Sequence, residues 1–269
     1  MKLKTPLVSV IIPVYKAHAT LARSLNSIKA QKFDYDKIEI IISVDDGKSY
    51  DEFKKLFQNI KIINPSGKIM TGAGQARNRG IKKARGKLIG FLDADDTWSP
   101  TYLKELAPIA FRFGVAISKT EILNHLGEYI HLLDPGLNIQ IKHFGLLPGS
   151  FHPLVIKKFA GPFPDGPSQD VIHAIRLLKK IKYRYKLPLN AKYQVWLNHS
   201  SKTADKKFCK LVDNSYKNWR YYYLKKMGFE RNSSNQEIIK TLQLKINWNN
   251  SYINSKNKKS FYNFLSEKF

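Results

Sequence analysis

Leu7-Val8-Ser9-Val10-Ile11-Ile12-Pro13-Val14 is an almost unbroken apolar run of strand length. That is the pattern of a strand buried on both faces. Working outward, Ile38-Glu39-Ile40-Ile41-Ile42-Ser43-Val44 repeats it and is closed by Asp45-Asp46-Gly47. Shorter strands are expected at 60–63 and 87–92. Helical patterns fill the gaps. Residues 20–30 carry Leu21, Leu25 and Ile28 on one side, a helix is expected over 49–59, and Gly72-Ala73-Gly74 opens another that runs to Ala84. Strand and helix alternating at this spacing predict an α/β fold, a parallel sheet with right-handed crossovers. In such open sheets ligands gather outside the carboxyl ends of the strands. Both acidic clusters, Asp45-Asp46 and Asp93-Ala94-Asp95-Asp96, fall there.

A further helix is expected over 99–113, and after Val115 the pattern loosens into short strands and loops punctuated by Gly and Pro. Beyond about residue 205 the character changes. Phe208, Leu211, Val212, Tyr216, Trp219, Tyr223 and Met227 follow helical spacing, with Lys206, Lys207, Lys210, Lys217 and Lys225 mostly opposite. Gly228 is placed to end that helix, and Ser234 with Glu237 forms a capping box for a second one through Ile238, Leu242 and Ile246. The expected organisation is an α/β domain over 1–204 and a basic, aromatic-rich helical extension over 205–269. The apolar stripe of the first extension helix suits packing on the α/β domain. Its lysines and aromatics would also suit an anionic membrane surface.

Across 269 residues, Lys and Arg number 46 against 21 Asp and Glu, a net charge of +25. Such an excess attracts phosphates, anionic headgroups, acidic glycans or nucleic acid. The single cysteine, Cys209, excludes an internal disulfide framework and fits a reducing compartment. No apolar run approaches the roughly 18 residues of a membrane span, and the first strand leaves no room for a cleavable signal. A cytoplasmic protein in contact with the inner face of the membrane is expected.

Asp93 and Asp95, at i and i+2 just past a buried strand, can turn toward one point and hold a hard divalent cation, Mn2+ or Mg2+, that bridges to substrate phosphates. The plainer reading is a solvated turn preceding the next helix. Arg77, on the first turns of a helix with a Gly-rich entry, suits a diphosphate, since its fork matches phosphate oxygens and a helix N-terminus favours anions.

Four segments taken together, Val8 to Tyr15, Val44-Asp45-Asp46-Gly47, Gly74-Gln75-Ala76-Arg77-Asn78-Arg79-Gly80-Ile81, and Ala84 to Asp96, resemble the GT-A glycosyltransferases of the family-2 type. The match runs in order over roughly the first hundred residues. The resemblance implies a Rossmann-like, mostly parallel sheet. It also implies inverting transfer of a sugar from a nucleotide diphospho-sugar, UDP-linked by preference, to an acceptor hydroxyl on a cell-surface glycan such as lipopolysaccharide, capsule or a lipid-linked oligosaccharide. By the same resemblance Pro13, Val14 and Tyr15 line the base and ribose pocket, and Asp45 accepts from the nucleobase. Asp93 and Ala94 meet the donor, Arg77 lies near its phosphates, and Asp95, with Asp93, holds the metal. In Gly166-Pro167-Ser168-Gln169-Asp170-Val171-Ile172-His173, Asp170 stands where the family carries its base, with Asp165 as the alternative. His199, followed by Ser200, matches a late loop that meets the metal or the diphosphate. Two departures stand out: Lys48 replaces the usual Ser or Thr, and Gln169 replaces the usual first acid. The Gln-x-x-Arg-Trp signature of processive synthases is absent, which favours single additions. Three other readings remain open: a nucleotide-sugar-binding scaffold without turnover, a nucleotidyltransferase, and a basic nucleic-acid-binding protein. No recognised nucleic-acid module supports the last, and nucleic acid is not an expected partner.

Overall fold

Strand β1 (Val8–Val14) is buried along its length except at Pro13, and every residue of β2 (Ile38–Val44) is buried. Their side chains alternate between two apolar layers, as the pleat requires. Val8, Val10, Ile12, Ile40 and Ile42 meet one layer with Leu21, Leu25 and Ile28 of α1 (His18–Lys29), while Ile11 and Ile41 meet the other. The computed structural model describes residues 5–181, 186–197, 205–227, 233–256 and 260–268. After β2 come α2 (Glu52–Leu56), β3 (Ile60–Ile63), α3 (Ala73–Lys83), β4 (Leu88–Phe91) and β5 (Thr97–Trp98). Next are α4 (Tyr102–Phe113), β6 (Val115–Ile117), β7 (Lys119–Leu123), β8 (Tyr129–Leu133), α5 (His143–Leu146), β9 (Pro153–Ile156), α6 (Gln169–Lys180) and β10 (Lys192–Trp196). The main sheet has the order β3-β2-β1-β4-β9-β6. Its first four strands are parallel, with Ile11 in register with Ile41 and Phe91, and β9 runs antiparallel to both neighbours.

Two helices are shorter than their patterns suggest, for identifiable reasons. The expected 49–59 helix shrinks to α2 because Tyr50 is wholly buried, its hydroxyl donating to Asp46 and accepting from the Ala17 N–H, so the chain there serves an anchor. The expected 99–113 helix begins only at Tyr102 because Ser99 bonds Lys192 through its N–H and its hydroxyl, extending the β5–β10 pairing. That pairing belongs to a second sheet of order β5-β10-β7-β8. It starts directly after Asp96 and so walls the end of β4.

The C-terminal helices are α7 (Lys206–Met227), α8 (Ser233–Asn254) and α9 (Phe261–Ser266). Cys209, Tyr216 and Tyr223 of α7, Ile238 and Leu242 of α8, and Leu265 of α9 join the same apolar cluster as Ile11 and Phe91 of the sheet and Ile172 and Ile175 of α6. Val212 and Trp219 are half-buried, whereas Leu211, expected on the buried stripe, is 58% exposed. Gly228 lies outside the described residues. Among the described residues no helix is long and apolar enough to cross a membrane.

Candidate functional site

The carboxyl ends of β1, β2 and β4 converge, and the expected residues stand there in distinct roles. Asp45 is 4% exposed, and its carboxylate is a structural node. It accepts from the Thr71 hydroxyl at 2.5 Å, the Gly72 N–H at 2.7 Å and Arg79 Nη2 at 2.8 Å, tying β2 to the entry of α3. Val14 is buried in the core, Pro13 is partly exposed, and Tyr15 reaches the surface beside Met70. Asp46 accepts from the backbone N–H groups of Lys16 and Lys48, which with the Tyr50 hydroxyl hold its carboxyl below the usual range against the opposing effect of burial. An open cleft of about 320 Å3 lies beside this loop, lined by Gly47, Lys48, Tyr50, Ile62, Asn64 and Ile69 among others. Lys48, the departure from the family pattern, therefore sits on the cleft wall.

Arg77 points inward. It is 1% exposed and pairs through Nη2 with Asp93 Oδ1, its guanidinium 5.3 Å from the Phe163 ring centroid. Its Nε and Nη1 have no hydrogen-bond partner among the described residues. The side chain expected near the phosphates thus orients and neutralises Asp93, which keeps about a third of its side chain exposed and donates its N–H to the Tyr193 hydroxyl. Ala94 is buried, Asp95 is partly exposed, and the Asp95 carbonyl accepts from Arg23 of α1 at 2.7 Å. The Arg23 guanidinium in turn stacks 4.1 Å from the Trp196 ring centroid. Asp96 is buried, its Oδ1 accepting from the Trp196 N–H at 3.0 Å. Burial first, and then the charges of Asp95 and Asp93, hold its carboxyl well above the usual range.

Among the described residues no three carboxylates, imidazoles or thiols gather closely enough to ligate one cation, and His199 lies outside the described residues. What the site offers a metal is two partly exposed carboxylates, Asp93 and Asp95, beside a third acid, Asp96, that is buried. That oxygen-only set fits a magnesium-type ion, which takes one or two carboxylates and completes its shell with phosphate oxygens and water.

Asp170 occupies the first turn of α6, and its Oδ2 accepts from the Ser150 hydroxyl at 2.6 Å. Burial pushes its pKa up, but His152, Arg77, the Ser150 hydroxyl and the Val171 N–H outweigh that and leave it below the usual carboxylate range. His152 is buried and stacked on Tyr193 with centroids 4.2 Å apart. Burial and Arg77 lower its pKa, while Asp93 and Asp170 pull the other way. Asp165, the alternative base, is exposed and accepts from Gln75. Gln169 is buried against the first turn of α3, where a β-carbon on Gly74 would meet its Cγ at 3.2 Å. Arg23, Ser150, His152 and Tyr193 form the part of the site that the sequence reading misses. Their only signal is position, on α1, in the loop before β9 and on β10, remote in sequence from the acidic motifs.

Residues 9–132 match the model of glycosyl transferase family 2. Over that span, just under half of the chain, the sequence is that of a family-2 glycosyltransferase. It is 30% identical over 146 residues to the Escherichia coli UDP-Glc:alpha-D-GlcNAc-diphosphoundecaprenol beta-1,3-glucosyltransferase WfgD, covering 52% of this chain and 57% of that protein. To the putative glycosyltransferase EpsH of Bacillus subtilis it is 34% identical over 110 residues, 39% of this chain and 30% of the other. The chain thus spans from under a third to just over half of the length of these relatives. Among solved structures, S. aureus TarS 1-349 in complex with UDP-GlcNAc superposes with a TM-score of 0.57 at 17% identity, over 78% of this chain and 66% of that one. The mannosyltransferase PcManGT from Pyrobaculum calidifontis, in complex with GDP-Man and Mn2+, gives 0.57 at 13% identity over 98% and 74%. These likenesses establish the GT-A fold, a mostly parallel central sheet followed here by C-terminal helices. The family match ends near β8, so Ser150, His152 and Asp170 lie beyond it.

Proposed function

We propose that this family 2 chain transfers a sugar, with inversion, from a UDP-linked donor to a hydroxyl of a lipid-linked or other cell-surface glycan acceptor. The observation that carries the reading is the Ser150-held carboxylate of Asp170 in electrostatic reach of the Arg77–Asp93 pair at the carboxyl edge of the sheet. The relatives point the same way, since WfgD is named for a UDP-glucose donor and a diphosphoundecaprenol acceptor, and TarS is bound to UDP-GlcNAc.

In this mechanism the nucleotide lies over the ends of β1 and β2, with Pro13, Tyr15 and the 47–51 loop around it. Asp95, with Asp93, would hold the divalent cation, Mg2+ or Mn2+, whose charge offsets that of the departing diphosphate. Arg77 fixes the orientation of Asp93 from beneath. Asp170, held below the usual carboxylate range, is ionised at neutral pH and free to accept the acceptor's proton. The Ser150 hydroxyl and the Val171 N–H fix which carboxylate oxygen is offered. The acceptor oxygen attacks the anomeric carbon as its proton passes to Asp170, the bond to the diphosphate breaks, and configuration inverts. A lipid-linked acceptor would bring the enzyme to a membrane surface.

Isothermal titration with UDP, GDP and dTDP, each with and without manganese, should give metal-dependent binding of UDP that Asp95→Ala abolishes. Asp170→Asn should keep that affinity and lower turnover of the UDP-sugar by about a hundredfold or more. A folded protein that binds none of the three nucleotides would overturn the donor site. Full turnover by Asp170→Asn would dismiss Asp170 as the base.

A further inference from the structure

The peptide joining Gly149 to Ser150 is held by the C-terminal helices. Lys245 of α8 donates Nζ to the Gly149 carbonyl at 2.6 Å, and the Tyr262 ring of α9 packs against the same peptide, a β-carbon on Gly149 standing 3.5 Å from its Cε1, with the hydroxyl acting electrostatically on the Ser150 N–H. The Ser150 carbonyl accepts from Thr120 of β7 at 3.0 Å. With the peptide fixed in this way, the Ser150 hydroxyl donates to Asp170 at 2.6 Å. Gly149 leaves no slack, because a β-carbon there would run into the Leu133 side chain.

Lys245 is an expensive way to hold a carbonyl. It is 4% exposed, its ammonium lies 5.6 Å from the Tyr216 ring centroid, and burial pushes its pKa down to about 8, with only Asp170 pulling it back up. An apolar side chain of similar length would fill the space without that desolvation cost. A buried ammonium at this point makes sense if its charge and its hydrogen bond are both used.

We propose that Lys245 and Tyr262 are positioning residues for the base, clamping the Gly149–Ser150 peptide so that Ser150 aims the Asp170 carboxylate at the acceptor. The proposal rests on Asp170 being that base, and it makes α8 and α9 part of the catalytic apparatus. Several charged or titratable groups face Asp170: Arg77 from α3, His152 from the loop before β9, and His173 on its own helix. From the C-terminal side come Tyr216 of α7, Lys245 and Tyr262. Only the last two are altered in the test.

The full chain is labelled with 13Cγ-aspartate, and the Asp170 carboxyl signal is assigned by its loss in Asp170→Asn. In the parent protein it should titrate below the ordinary carboxylate range. Lys245→Met removes a cation and a clamp, and Tyr262→Phe removes one hydroxyl but keeps the ring. Each should raise the midpoint, Lys245→Met by about one pH unit, with UDP affinity unchanged. Turnover of the UDP-sugar should fall about tenfold in kcat with little change in KM, the signature of a misplaced base. If Lys245→Met does not fold, Tyr262→Phe carries the test. An Asp170 midpoint and a kcat that stay at parent values in a folded variant overturn the clamp. Asp170→Asn retaining full turnover, while Lys245→Met still moves the midpoint, instead overturns the base assignment and leaves the clamp standing.

Discussion

His173 lies flat against Phe163, ring centroids 3.7 Å apart, with its edge toward Phe91 and its Nε2 2.9 Å from the Ala160 carbonyl. That carbonyl needs a donor, so the buried ring is neutral with the proton on Nε2. Burial pushes its pKa down to about 3, against about 6.5 in the unfolded chain. Between those values the unfolded state binds a proton that the native state refuses. Stability is therefore greatest above pH 6.5 and declines as the pH drops toward 3, by up to about 1.4 kcal/mol per pH unit from this one residue. His173→Phe keeps the stack but gives up the Ala160 bond, costing about 1 kcal/mol at pH 7. Urea unfolding at pH 7 and pH 5 should show the variant losing markedly less on acidification. Parallel losses in both proteins would mean that the acid sensitivity lies elsewhere. At this scale the sequence is half legible. Asp45, Arg77, Asp93 and Asp170 declare themselves by standing at strand ends or at the start of a helix. Their partners do not, because Ser150 reaches Asp170 across 20 residues and Tyr193 reaches Asp93 across 100, with no local pattern to mark either pair.

Helix α3 shows what the elements ask of one another. It crosses β1 so closely that a β-carbon on Gly80 would stand 2.5 Å from Ile11 Cγ2. Gly80→Ala would gain roughly 1 kcal/mol of helix propensity, but overpacking a fixed core costs about 1–3 kcal/mol. The net expectation is a loss of about 1 kcal/mol or more. Because Arg77 sits on the same helix one turn earlier, lifting α3 from the sheet should also weaken metal-dependent UDP binding. Gly67→Ala, in the loop before α3 with nothing within 4 Å of the new methyl, is the loop control, without the helix gain. Thermal melting in which Gly80→Ala equals Gly67→Ala would show that α3 yields freely, and the close-packing argument would fail. The long periodic elements β1, β2, α1 and α3 are readable because burial on a fixed period dictates them. The second sheet is not, since β5 is two residues long and owes its existence to β10, with Thr97 and Gln194 meeting across 97 residues. Helix starts at 49 and 99 fail for the same reason: distant bonds to Tyr50 and Ser99 override local propensity.

Across the whole molecule the open question raised by composition is where a net charge of +25 is used. Part of it is used inside, on Arg77 and Lys245, and on the half-buried Arg23. The outward face of α7 is a different matter. Lys207, Lys210, Lys225 and Lys226 are exposed there beside Leu211 at 58%, Tyr221 at 59%, Tyr222 at 41% and Leu224 at 38%. Lys225 and Lys226 lie over the Tyr221 and Tyr222 rings. The inner face of α7, with Cys209, Tyr216 and Tyr223, is already committed to the core, so this basic-aromatic face remains exposed on the packed helix. Tyrosine rings and lysines together suit the headgroup layer of an anionic bilayer, where a lipid-linked acceptor would be found. Each lysine near such a surface contributes about 1 kcal/mol. Replacing Lys207, Lys210, Lys225 and Lys226 by Gln should therefore weaken partition onto phosphatidylglycerol-containing vesicles roughly a hundredfold or more. Molar salt should do much the same to the parent chain, and pure phosphatidylcholine should bind neither. Vesicle flotation reads all three. Equal flotation of parent and variant would move the contact to another face, and no flotation of the parent on anionic vesicles would remove the membrane from the account.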